Sequence, residues 1–162
     1  VDGSNVEAAV GALMTWNHAA AEADRYRTAC GLEGVFARGG LGVTDIVLRV
    51  SAAISVVAIP EELSLRILAR LGRAAMGQIV GVPDACYFWL ARPASGFDPD
   101  AVAPTLSILD TEILPNGSEI ALPGPPSDTV AGRWWVSGVP ADSYRMSVAA
   151  VVAHVLDSGR GR

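Results

Sequence analysis

The stretch from residue 45 to residue 75 constrains the fold of this chain more than any other. Two runs, residues 45–50 and 54–59, are built largely of β-branched and aliphatic residues, the types that suit buried strands. They contribute Ile46, Val47, Leu48 and Val50, then Ile54, Val56, Val57 and Ile59. The second run leads straight into Pro60-Glu61-Glu62. Proline is tolerated at the first position of a helix, and acids there complement the helix dipole. A helix is therefore predicted from Pro60 to about Ala75, with Leu63, Ile67, Leu71 and Ala74 or Ala75 on its buried stripe. Arg66, Arg70 and Arg73 form the opposite stripe, and Glu62 stands four residues before Arg66, placed to pair with it.

The remaining elements follow from periodicity and punctuation. Val6 to about Thr28 reads as a helix, with Ser4 or Asn5 as its cap and Cys30-Gly31 as its stop. Gly39-Gly40 and Gly42 mark a loop after a short apolar piece, 32–37, of unassigned type. Residues 78–82 and 86–91 read as a hairpin turning at Pro83-Asp84. A loop over 92–103 precedes a short helical segment, and 108–114, 118–122 and 133–137 read as strands. Asp142 or Ser143 is the expected cap of a last helix through Leu156. The expected architecture is α/β (α+β), a mainly antiparallel sheet flanked by about three helices, in a single domain over 1–162. Its parts are an N-terminal helix and loop (1–44), a sheet and helix (45–140) and a C-terminal helix (141–157).

Composition narrows the function classes. Hydrophobic residues make up 51% of the 162 and charged residues 18%, too apolar for a disordered chain. The longest apolar stretches, 46–60 and 146–156, fall short of the roughly 18 residues of a transmembrane helix, so no membrane association is expected. No basic-then-apolar signal precedes the first helix, which makes the cytoplasm the expected location. The net charge of −5 argues against a nucleic-acid backbone as partner and favours a protein or a second copy of the chain. All 12 basic residues are arginine, a pattern suggesting a GC-rich genome. Cys30, Cys86, His18 and His154 are scattered without metal-ligand spacing, so no cofactor is expected and the thiols are read as reduced core residues.

Two segments together carry a resemblance. The first, 54–76, reads ISVVAIPEELSLRILARLGRAAM; the second, 109–136, reads LDTEILPNGSEIALPGPPSDTVAGRWWV. In this order and at this spacing they resemble the N-terminal bifunctional DNA primase/polymerase (prim-pol) domain, in the compact form found in actinobacteria. The hairpin 78–91, with Tyr87-Phe88-Trp89-Leu90, fits between them, and the resemblance covers roughly residues 45–140. It implies a reduced archaeo-eukaryotic primase-like fold. In an active domain of that type, clustered carboxylates hold two Mg²⁺ or Mn²⁺ ions for nucleotidyl transfer. The family's Asp-x-Asp pair ends the strand before the first helix; here the matching positions are Ser55 and Val57. The Ser-x-His-like motif has no histidine in Asp84-Ala85-Cys86-Tyr87, and Asp110 matches the third acid, with Glu112 two residues on. The resemblance therefore implies a degenerate active site.

Four groups of residues could carry a function. Asp110 and Glu112 would share one sheet face if their segment is extended, as a residual single-ion site or as solvated acids. Arg66, Arg70 and Arg73, with Arg49 and Arg133, could form a basic surface for phosphate or an acidic helix, or a solvated face. Trp134 and Trp135 should lie on opposite faces of a strand, one in the core and the other partly exposed, to stack a base, anchor a partner or cover the sheet edge as a lid. Ser127, after Pro125-Pro126, is a hydroxyl on a rigid turn. The first expectation is a non-catalytic prim-pol-like domain acting as a regulatory or interaction module. A DNA primase/polymerase-type nucleotidyltransferase completed by another chain or by missing sequence, with Mg²⁺ or Mn²⁺, is the enzyme alternative. An unrelated α/β protein-interaction domain is the third.

Overall fold

In the computed structural model of the chain, residues 3–40, 43–72, 77–82, 85–124 and 132–161 are described. Among them are four helices, α1 (Gly3–Thr28), α2 (Glu61–Leu71), α3 (Pro99–Ile108) and α4 (Val148–Gly159). Eight strands, β1 (Val35–Gly40), β2 (Val43–Arg49), β3 (Ser55–Pro60), β4 (Ile79–Gly81), β5 (Cys86–Ala91), β6 (Glu112–Ile113), β7 (Glu119–Leu122) and β8 (Trp134–Trp135), make two antiparallel sheets. One has the order β1-β2-β7, the other β6-β3-β5-β4-β8. The α+β class expected from sequence holds, with two sheets in place of one and four helices in place of three.

The five-stranded sheet is the middle layer, which is why its inner strands read as continuous apolar runs rather than as alternating ones. Side chains of neighbouring residues on a strand point to opposite faces. Val56, Val80 and Leu90 accordingly join one core with α1 and the three-stranded sheet. Val57, Ile59, Ile79, Tyr87 and Trp89 join a second core with α2, α3 and α4. The adjacent runs at 45–50 and 54–59 therefore enter different sheets: β2 pairs with β1 and β7, while β3 pairs with β5 and β6. A short turn closed by Ser51 and Ile54 separates them.

Several boundaries differ from expectation for local reasons. Ser4 and Asn5 lie inside α1 rather than capping it. Gly39 and Gly40 belong to β1, which pairs with β2, so the stretch 1–44 contributes a strand to the sheet. Gly72, at φ 73, ends α2 with its N–H on Leu68 O; the rest of the expected helix, 73–75, lies outside the described residues, as does the Pro83-Asp84 turn. The expected strand over 108–114 is mostly helix end and turn. Asp98 caps α3 by accepting from Asp100 N, Pro99 fills the first position, and the helix runs to Ile108. Only Glu112–Ile113 remain extended. The expected strand over 133–137 shrinks to Trp134–Trp135. The last helix is capped by Ser147, which accepts from Ala150 N, and not by Asp142 or Ser143. Asp142 instead accepts from Tyr144 N in a turn of its own.

Candidate functional site

The positions that the resemblance matches to metal-binding carboxylates are not at the end of β3 that leads into α2. Ser55 opens β3, and Val57 sits in its middle, between Ile113 on β6 and Trp89 on β5. Val57 is fully buried, in the core that holds Leu63, Ile67, Val151 and Val152. The end of β3 that leads into α2 is Ile59-Pro60. A carboxylate at position 57 would be buried among hydrocarbon rather than at the mouth of a cleft.

Asp110 and Glu112 do not share a sheet face. Asp110 follows the C-terminal end of α3 with φ 51, a left-handed conformation in which period-two alternation does not apply. Thr111, buried between the two acids, turns its N–H to Leu106 O and its hydroxyl to Leu109 O. Both carboxylates nevertheless line one cavity of about 510 Å³ between α3 and β6, joined there by Asp100. Among the described residues, no three His, Cys, Asp or Glu side chains are grouped closely enough to hold a metal ion.

The arginines divide into two populations. Arg25 pairs with Glu22, Arg27 with Asp24, and Arg38 and Arg49 both with Glu119, all on α1 and the three-stranded sheet. Arg38 and Arg49 also lie over the Phe36 ring, at 5.4 and 5.2 Å from its centroid. These two guanidiniums hold the Glu119 carboxyl below its ordinary pKa. Arg49 thus belongs to the sheet opposite α2 and does not extend the α2 stripe. Arg66, Arg70, Arg92, Arg133, Arg145 and Arg160 make no ion pair among the described residues, so the expected Glu62–Arg66 pair is not formed there. Arg70 donates to Ser158 Oγ on α4, at 2.9 Å. Arg66 buries Nε and Nη2, and Arg133 buries Nε, without acceptors among the described residues. Arg73 and Ser127 lie outside the described residues.

Trp134 and Trp135 point to opposite faces, as alternation requires. Trp135 is 8% exposed, and its Nε1 donates to Tyr26 Oη, whose own hydroxyl donates to Pro123 O. Burial pushes the Tyr26 phenol up to about 12. Trp134 is 39% exposed. It lies across Gly81 and meets Tyr87 edge to face at 5.9 Å. A Cβ at Gly81 would stand 2.5 Å from the Trp134 ring, so the close approach requires glycine.

Sequence reasoning missed the polar node at Arg145. Its Nη1 donates to Cys30 O (2.8 Å) and Gln78 Oε1 (3.1 Å), and its Nη2 to Gly31 O (3.2 Å). Gln78 in turn donates to Cys30 O and Asp142 O. The node clamps the segment after β8 onto the end of α1, and it borders a groove of about 340 Å³ lined by Gly77, Gln78 and residues from Ser137 to Tyr144. A lone arginine among loop residues carries no local signal of such a role. Cys30 and Cys86 are free, and burial raises both thiols, the reverse of an activated nucleophile.

The chain is thus an α+β protein in which a five-stranded antiparallel sheet lies between a helical layer and a second sheet. No helix among the described residues is long and apolar enough to cross a membrane. No protein-family model, curated protein or solved structure matches the chain.

Proposed function

We propose that this chain is a non-catalytic prim-pol-like domain, working in the cytoplasm as a regulatory or interaction module whose partner is a protein or a second copy of itself. The observation that carries the reading is Val57, an apolar, fully buried side chain at a position where a polymerase of that type needs a carboxylate. Hydrocarbon at that point leaves no ligand there for a two-metal site. Primer synthesis and extension assays with Mn²⁺ and nucleotides test it, and no incorporation is expected.

The enzyme alternative draws on Asp110 and Glu112, which line one cavity together with Asp100. Another chain would then supply the remaining ligands for Mg²⁺ or Mn²⁺. Incorporation that disappears in Asp110→Ala would establish this alternative and overturn the binding-module reading.

A further inference from the structure

We propose that the end of the helical layer, where α2, α3 and α4 meet, docks an acidic amphipathic segment of a partner protein. The proposal deepens the binding-module reading and rests on it.

The surface has an apolar part. A groove of about 340 Å³ runs between the ends of α3 and α4, lined by Thr105, Ile108, Leu109, Leu156, Gly159 and Arg160. Ile108 is 79% exposed, the highest value for any large apolar side chain among the described residues. Burying such a side chain against a partner releases ordered water and is the usual anchor of a docked helix. The groove wall at Gly159 is bare backbone, where a Cβ would come 2.5 Å from Leu109 Cδ1 and displace that side chain.

The surface also has a charged part. Arg160 lines the groove, and Arg70 reaches Ser158, next to Gly159. Arg66 stands one turn before Arg70, with Nε and Nη2 buried and without an acceptor among the described residues. None of the three makes an ion pair among the described residues, although the acids Asp110 and Asp157 are close in sequence to the groove's lining. A shortage of carboxylates is not the reason, because the chain has 17 acids to 12 arginines and pairs those on α1 and the three-stranded sheet. Arg160 in the groove wall and Arg70 next to it, both without a carboxylate partner among the described residues, match a ligand that carries both features. A helix with an apolar side chain for the groove and flanking carboxylates for the arginines satisfies both. A nucleic-acid backbone would satisfy the guanidiniums alone and leave Ile108 in water.

The test uses the full chain and three fluorescein-labelled probes read by anisotropy. One is a synthetic helix with leucines at helical spacing flanked by glutamates, one its lysine-for-glutamate twin, and one single-stranded oligothymidine. The acidic helix should bind, more weakly as salt rises, and the lysine twin should not. Exchanging both Arg70→Glu and Arg160→Glu should weaken binding about tenfold or more. Ile108→Asp should do the same without lowering the urea midpoint, since the side chain is already exposed. Failure of the acidic helix to bind, or binding that ignores these substitutions, overturns the proposal. So does arginine-dependent binding of oligothymidine in place of the helix, which would make the surface a phosphate site. Incorporation in the primer assay overturns the non-catalytic reading by a separate route.

Discussion

Replacing Arg145 by methionine keeps most of its apolar stem and removes the guanidinium. Three hydrogen bonds go with it, to Cys30 O, Gly31 O and Gln78 Oε1. Bonds from a charged donor are worth roughly 1.5–3 kcal/mol each, or roughly 5–9 kcal/mol if all three counted in full. Two offsets shrink that figure. Cys30 O keeps Gln78 Nε2 and Gly31 O keeps Glu33 N as donors, so only Gln78 Oε1 loses its sole partner here. Arg145 is 9% exposed, and among the described residues its guanidinium has no carboxylate partner and leaves Nε unbonded, so its removal also relieves a desolvation cost of several kcal/mol. The same burial lowers its pKa. The net expectation is a loss of about 2–3 kcal/mol for Arg145→Met. Arg145→Ala should lose about 1 kcal/mol more through the missing stem. Urea unfolding reads both as a lower midpoint at unchanged slope. A methionine variant as stable as the parent would show that the buried cation costs as much as its bonds return, and would refute the clamp.

Three further outcomes are expected. Tyr26 titrates in the folded state at about 12 against an ordinary 10.0, so the unfolded chain loses its proton first as pH rises. Stability should be intact below pH 10 and fall by roughly 2–3 kcal/mol as the pH passes through that interval. Tyr26→Phe should remove this slope while costing about 1–2 kcal/mol at neutral pH, because Trp135 Nε1 and Pro123 O lose their partner; urea midpoints from pH 7 to 12 check both. Val57→Asp should destabilise by about 4 kcal/mol or more, since its carboxylate enters a hydrocarbon core, and a tolerated substitution by thermal unfolding would instead indicate an open site. Glu119 has a depressed pKa, so its contribution is present above the usual carboxylate range and lost as pH falls through the lowered value. Glu119→Gln should flatten the acid limb of the stability profile, most visibly at low salt.

Much of the local structure is legible in the chain. The β-branched runs, Pro60-Glu61-Glu62 and the leucine-arginine stripe place β2, β3 and α2 within a few residues, because short-range sterics and helix-end electrostatics act on neighbours. The tryptophan pair follows from pleating alone. The acidic segment is misread because Ile108–Leu114 is apolar enough for a strand, whereas the cap at Asp98 and Pro99 commits the preceding turns to helix. Asp110 then occupies a left-handed turn, and the expected shared face is lost. The arginine surface is half legible. Spacing places Arg66 and Arg70 on one side of a helix, but only packing shows that Arg49 is taken by Glu119 and that Arg160 lies beside Arg70's partner.

By itself, the sequence determined the α+β class, the acidic charge and the position of α2. These depend on residue type and near-neighbour spacing. The tertiary structure alone decided that β2 and β3 part into different sheets, that Val57 faces a dry core, and that Arg145 closes the end of α1. It also decided that Arg160, without an ion pair among the described residues, lines an apolar groove with Arg70 bonded next to it. Each of these depends on which distant surfaces meet, and that is settled by burying two faces of one sheet at once.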